Sequence, residues 1–268
     1  MPAQLLDGKI LAEKIKTDLK TKIDKLQTKP GLASILVGTN QASQLYIKLK
    51  AKACQEVGIE FSTYFLDETC KEEKILDVID FLNKDPQING ILLQLPLPKK
   101  FDTDKIISKI SPQKDVDGFH LESKIVSPTV LSIMELIKST GENLKNKKVV
   151  ILSNSEKFAE PFKTLLPDCE VTYLSPSAPS SELRAQSSSA DILIVAIGKP
   201  KFIKPNMVKE DAIIIDVGIN KVDGKTIGDV DPAVDKIVSY RSSVPGGVGP
   251  ITVAALLSNL YQLAKIDK

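Results

Sequence analysis

With 268 residues, 42% of them hydrophobic and 26% charged, the chain has the composition of a soluble globular protein long enough for two small domains. Its 36 basic residues against 34 acidic ones leave a net charge of only +2, so no electrostatic field directs it to nucleic acid or to a membrane. The only histidine is His120 and the three cysteines (Cys54, Cys70, Cys169) lack metal-ligand spacing, so no metal is expected; with no signal peptide and no bilayer-length apolar run, the expected location is the reducing cytoplasm.

The segment from Leu5 to Leu26 repeats Ile10, Leu11, Ile15, Leu19 and Ile23 near helical spacing and ends at Lys29-Pro30-Gly31. Leu32 to Val37 is a continuous apolar run closed by Gly38, as in a buried parallel strand. From Asn40, a predicted N-cap, to Gly58, a predicted stop, the spacing gives one helix. At about 100° per residue its apolar arc takes in Leu45, Tyr46, Ile47, Leu49, Ala53, Cys54 and Val57. Lys50 falls inside that arc, four residues after Tyr46 and on the same face. An ammonium on a packed face loses hydration and its pKa falls, which suits a general acid/base; the ordinary alternative is that the side chain snorkels to water.

Ile59 to Leu66 reads as a strand, Cys70 to Asn83 as a helix, and Ile88 to Leu95 as a third strand running into Pro96-Leu97-Pro98. Such alternation predicts an open parallel α/β layer whose sites form beyond the carboxyl ends of the strands, where Gln94 stands. Ser111 to His120 reads as a loop carrying Asp115 and Asp117 beside Gly118. A helix at 128–139 then opens a second α/β run. Its strands are expected at 148–152, 170–174, 191–197 and 212–217, and its helices at 157–166 and about 182–186. Two such sets imply two lobes with a cleft between them. Val244-Pro-Gly-Gly-Val-Gly-Pro250 opens a last helix to about Lys265, its glycines allowing close backbone approach.

Five motifs carry a resemblance: Ala42-Ser-Gln-Leu-Tyr-Ile-Lys-Leu-Lys50, Gly90-Ile-Leu-Leu-Gln-Leu-Pro-Leu-Pro98, Lys114-Asp-Val-Asp-Gly-Phe-His120, Ile215-Asp-Val-Gly-Ile-Asn220 with Gly228-Asp-Val-Asp231, and Val244 to Pro250. In this order and spacing the chain resembles the bifunctional methylenetetrahydrofolate dehydrogenase/methenyltetrahydrofolate cyclohydrolase (FolD) family over nearly its whole length. The resemblance implies a folate-binding catalytic domain at 1–122, completed by 248–268 as the last helix returns to it. It implies a Rossmann-like dinucleotide domain at 123–247, NADP as cofactor, tetrahydrofolate one-carbon derivatives as substrates and a homodimer. Lys50 would be the acid/base, Tyr46 would stack on the aminobenzoyl ring and orient it, and Gln94 would hydrogen-bond and tune it. Asp117 would anchor the pterin, Pro245, Gly246 and Gly247 would line the folate cleft, and Ser153, Asn154, Ser155 and Ile219 would face the cofactor.

The second lobe departs from the family pattern. Asn154 stands where the family's phosphate loop has arginine, and only Arg184 and Arg241 occur in the chain, so a bidentate grip on a 2′-phosphate has no obvious donor. Ser153-x-x-Glu156 has the form of a capping box, which would occupy the helix N-terminus that should meet the pyrophosphate. Ser127 to Ser132 replaces the family's Pro-Cys-Thr-Pro-x-Gly, and Ser175-Pro176 its His-Ser step. Three readings follow: a full dehydrogenase/cyclohydrolase using NADP or NAD, a cyclohydrolase with no working cofactor cleft, and a non-catalytic folate-binding or dimer-partner protein. A short-chain dehydrogenase would place a glycine-rich loop before Tyr46, where none occurs.

Overall fold

The computed structural model of the protein describes residues 2–266. The chain divides into two compact units, Met1–Leu11 with Thr129–Thr252, and Ala12–Pro128 with Val253–Lys268. The sequence-based boundaries at 122/123 and 247/248 thus meet divisions at 128/129 and 252/253, and the last two residues of the 248–268 segment lie outside the described residues. The first eleven residues fall with the later unit because Gln4–Leu6 is a strand, β1, which pairs in parallel with Tyr240–Ser242. The helix expected from Leu5 therefore begins later, as α1 (Gly8–Ile23).

In the unit around Ala12–Pro128, β2 (Gly31–Val37) lies between β3 (Glu60–Leu66) and β4 (Gly90–Leu93), all parallel. Every residue of β2 is buried, which explains its apolar run, broken only by the small Ser34. The strands alternate their faces. Leu32 and Leu92 join Leu19, Ile23, Ala53, Cys54 and Val57 in one core, while Ala33, Ile35 and Ile91 join Ile75, Ile79 and Leu82 in another.

Helix α2 (Gln41–Val57) supplies Ala53, Cys54 and Val57 to the first core, and α3 (Glu72–Lys84) supplies Ile75, Ile79 and Leu82 to the second. The predicted caps of α2 form: the Asn40 side chain accepts the Ser43 N–H, and Gly58 ends the helix at φ 85°. A short helix the sequence did not announce, α4 (Thr103–Ile107), follows β4.

In the other unit, α5 (Pro128–Ser139) precedes β5 (Lys148–Ser153), α6 (Glu156–Leu165), β6 (Glu170–Leu174), α7 (Ser180–Ser187), β7 (Ile192–Ala196) and β8 (Ile213–Asp216). A hairpin of β9 (Asn220–Val222) and β10 (Lys225–Ile227) precedes β11 (Tyr240–Ser242). Among the described residues the main sheet is six parallel strands in the order β1-β11-β8-β7-β5-β6. From β5 the chain goes to β6 on one side and then to β7 on the other. The carboxyl ends of β5 and β7 therefore form the topological switch point where such sheets bind ligands.

The last helix, α8 (Val248–Ile266), begins in this unit and continues into the other. Within the latter it buries Leu256, Leu257, Leu260 and Leu263 against Leu19 and Ile23 of α1.

Candidate active site

Helix α2 buries a narrower stripe than its apolar arc suggested. Ser43, Ile47, Ala53, Cys54 and Val57 are buried, whereas Leu45 and Leu49 are 58% and 47% exposed, so that flank of the arc faces outward rather than into the core. Lys50 lies on the buried side, three residues after Ile47 and four before Cys54. Its Nζ donates to Gln94 Oε1 at 3.0 Å instead of running out to solvent.

Gln94 follows β4 on the face that carries Leu92, and is itself buried. Its Nε2 donates to the Leu95 carbonyl at 2.7 Å and its backbone N–H to Ile35 at 2.9 Å, which leaves Oε1 directed at the ammonium. The Gln94–Lys50 contact expected from the resemblance is thus present in the geometry.

Burial lowers the Lys50 pKa from the ordinary lysine value, with the negative charge of Asp117 and the neighbouring Cys54 thiol opposing the shift. Asp117 answers this. Burial pushes its carboxyl up to about 6, against the pull of the Lys50 ammonium and with Asp115 adding to the rise. Cys54, fully buried behind Lys50, has its thiol pushed up to about 12 by burial, so it is a packing residue and not a nucleophile.

The two loop carboxylates have different jobs. Asp115 is buried and accepts the backbone N–H groups of Asp117 at 3.2 Å, Gly118 at 3.1 Å and His120 at 2.8 Å, which folds the loop around it. Gly118 takes φ 68°, where a side chain would be strained. Asp117, freed from loop building, is the member coupled to Lys50. Tyr46 stands one turn before Lys50 and is 39% exposed, so its ring is accessible to a planar partner.

The remaining expected residues belong to the other unit. Pro245, Gly246 and Gly247 form the turn that opens α8; the Gly8 N–H donates to the Gly246 carbonyl at 2.8 Å and Gly247 N–H to Ser243 at 2.7 Å. A Cβ on Gly8 would strike the Gly247 carbonyl, so the start of α1 depends on glycine there.

Ser153, Asn154 and Ser155 lie at the carboxyl end of β5. The capping box expected over Ser153 and Glu156 does not form, because Ser153 is still paired in the sheet with Ala196 and Glu156 is already the first helical residue. Ser153 Oγ donates to the Ser155 carbonyl at 2.8 Å, and Ser155, the N-cap, makes no side-chain cap bond. The Phe158 N–H turns back to the Ser155 carbonyl at 3.2 Å, and no side chain caps the N–H groups of Glu156 and Lys157 before it, the arrangement that suits a pyrophosphate. Asn154 Nδ2 spans the switch point to the Ile197 carbonyl at 3.0 Å, and Ile219 is 55% exposed.

Two buried carboxylates that no role was assigned to hold this end of the unit. Asp229 accepts Ile197 N–H and Gly198 N–H at 2.8 and 2.9 Å and Asn220 Nδ2 at 2.9 Å. Asp216 accepts the N–H groups of Gly218, Asp229 and Val230 at 2.9, 3.0 and 2.9 Å, and burial raises its pKa to about 6 against those bonds. The available signal was a glycine beside each aspartate, Gly218 and Gly228, where a Cβ would collide with the other's carboxyl.

Neither arginine reaches the switch point: Arg241 is bonded to Asp235 and Arg184 to the Asn206 carbonyl. Equally, β6 ends at Leu174 and is followed by Ser175, with no carboxylate there to take a ribose 2′-hydroxyl. No group of described residues has the composition of a metal site, and no described helix is long and apolar enough to cross a membrane.

Comparison with known proteins accords with both halves. Residues 6–117 match the family model for the tetrahydrofolate dehydrogenase/cyclohydrolase catalytic domain, and residues 127–268 that for its NAD(P)-binding domain. A bifunctional protein FolD of Nautilia profundicola is 43% identical over 275 residues, covering 97% of each chain. The crystal structure of the bifunctional FolD enzyme of Campylobacter jejuni superposes with a TM-score of 0.93 at 41% identity, over 99% of this chain and 100% of that one. That of the Trypanosoma brucei enzyme, solved with NADP and an inhibitor, gives 0.93 at 30% identity over 100% and 99%.

Proposed function

The chain belongs to the tetrahydrofolate dehydrogenase/cyclohydrolase family, and from that membership we propose how its residues divide the two reactions. The enzyme oxidises methylene-tetrahydrofolate to methenyl-tetrahydrofolate and hydrolyses the latter to formyl-tetrahydrofolate. When bound, the dinucleotide accepts the hydride that leaves the one-carbon bridge. What remains is a cationic methenyl bridge, and its opening by water needs a group that can take and return a proton. The observation that carries the reading is the Lys50–Gln94 hydrogen bond on a buried helix face, beside a lysine whose pKa burial has lowered.

Lys50 in its neutral form takes the proton of the attacking water and returns it as the bridge opens. Neutrality also suits the substrate, since an ammonium beside a cationic bridge would repel it. Gln94 fixes the Lys50 nitrogen through its own bond to Leu95, Tyr46 offers a stacking face, and Asp117 accepts hydrogen bonds from the pterin. The folate domain comprises the unit of Ala12–Pro128 and Val253–Lys268.

For the cofactor, Ser153, Asn154, Ser155 and Ile219 at the switch point are its holders, with the α6 N-terminus receiving the pyrophosphate. NADP is the assigned dinucleotide, because no carboxylate at the end of β6 would repel a 2′-phosphate and Lys157 in the first turn of α6 adds positive charge. The protein acts as a cytoplasmic homodimer, which light scattering after gel filtration would test.

The experiment for the function as a whole is to supply methylene-tetrahydrofolate with NADP or with NAD and to follow reduced dinucleotide and formyl product separately. Both products with NADP, and a lower kcat/KM with NAD, are expected. Formyl product from supplied methenyl-tetrahydrofolate with no dinucleotide reduction would restrict the enzyme to the hydrolysis.

A further inference from the structure

Asn259 is a polar residue where α8 should have an apolar one. Its neighbours Leu256, Leu257, Leu260 and Leu263 are all buried in the core of the unit, and Asn259 itself is 1% exposed. Burying a primary amide there is costly unless its donors are used. Both are: Nδ2 donates to the Val116 carbonyl and to the Val126 carbonyl, each at 3.0 Å.

Those carbonyls belong to two passes of one loop. Val116 directly precedes Asp117, and Val126 stands on the return pass, which comes so close that a Cβ on Gly118 would strike the Ile125 carbonyl. The loop's other support is Asp115, which gathers N–H groups from Asp117, Gly118 and His120. One side chain thus accepts from the N–H groups of the loop and another donates to its carbonyls. Only the second comes from outside the loop, more than a hundred residues later in the chain.

We propose that Asn259 is a positioning residue for Asp117, setting through the Val116 carbonyl where the Asp117 carboxylate meets the folate. The proposal rests on the reading of Asp117 as the pterin anchor. The amide delivers two N–H donors from one nitrogen to two carbonyls without bringing a charge into the core. Leucine at 259 would fill the space and supply neither, leaving the buried Val116 carbonyl and the half-buried Val126 carbonyl without that partner and the loop free to slide at Asp117.

The test is steady-state kinetics of the full chain as wild type, Asn259→Leu, Asp117→Asn and the double variant. Asn259→Leu is expected to raise the KM for the folate substrate by about ten-fold while kcat stays within about three-fold. The dinucleotide KM is expected to stay unchanged. If Asn259 acts through Asp117, its effect shrinks to less than about two-fold in the Asp117→Asn background.

An unchanged folate KM in Asn259→Leu, or an undiminished effect in the double variant, would overturn the positioning role while leaving the anchor intact. An unchanged folate KM in Asp117→Asn would instead remove the anchor itself, and the proposal with it. Should Asn259→Leu not fold, Asn259→Gln keeps both donors on a side chain one methylene longer. It should show the same split between KM and kcat to a smaller degree, and equal losses in folate and dinucleotide KM would mark a merely structural residue.

Discussion

Lys50, Gln94 and Asp117, the residues proposed to carry the chemistry, are of types common on protein surfaces and come from α2, the end of β4 and the loop that Asp115 folds. The lysine alone would be a solvated cation. Against Gln94 and over the core residues Ile47 and Cys54 it is desolvated, and desolvation is what separates a proton carrier from an ion-pair partner.

Asp117 pays a corresponding cost in stability. Its folded pKa of about 6 lies above the ordinary 3.8, so the folded state binds more protons than the unfolded one between those values. Its contribution to stability is complete below about pH 4 and is lost as pH rises through about 6. Asp117→Asn should therefore gain stability relative to wild type on going from pH 5 to pH 7.5, as read from urea midpoints. A difference between the two proteins that does not change with pH would mean that Asp117 is not held in its neutral form by the fold.

At the scale of elements, the caps make a sharper test than the helices. Asn40 holds the Ser43 N–H at the start of α2, and Asn40→Ala should cost about 1 kcal/mol. Ser155 occupies the corresponding place before α6 but makes no cap bond, so Ser155→Ala should change stability by less than about 0.5 kcal/mol. Equal losses in urea denaturation would restore the capping that the geometry denies to α6.

The same contrast explains what could be read in advance. The long elements were legible because their signals are local: an apolar run for β2, helical spacing and both caps for α2, and the whole of α5. The strands β1 and β11, of three residues each, were not, since Gln4 is a strand residue only because Tyr240 lies beside it. The Ser153 capping box failed for a related reason: a local motif was overruled by a sheet pairing with Ala196. Of the proposed site, Lys50, Gln94 and Asp117 stand in the motifs that carry the resemblance, and the Lys50–Gln94 hydrogen bond is the part the geometry shows. Asp229 and Asn259 were not, because each acts on backbone groups more than thirty or a hundred residues away.

Across the whole molecule, the two units carry separate tasks: one holds the residues assigned to the one-carbon bridge, the other those assigned to the dinucleotide. Each has its own core, so damage to the chemistry of one should leave the ligand of the other in place. Lys50→Met separates them most cleanly, since methionine keeps an unbranched side chain of similar bulk and removes the amine, with its proton and its hydrogen bond to Gln94. The decisive measurement is methenyl-tetrahydrofolate hydrolysis by this variant, with NADP binding followed in the same preparation. Hydrolysis is expected to fall by about a hundred-fold or more while the affinity for NADP stays at the wild-type value. Hydrolysis at the wild-type rate would contradict the assignment of Lys50 as the group that moves the proton.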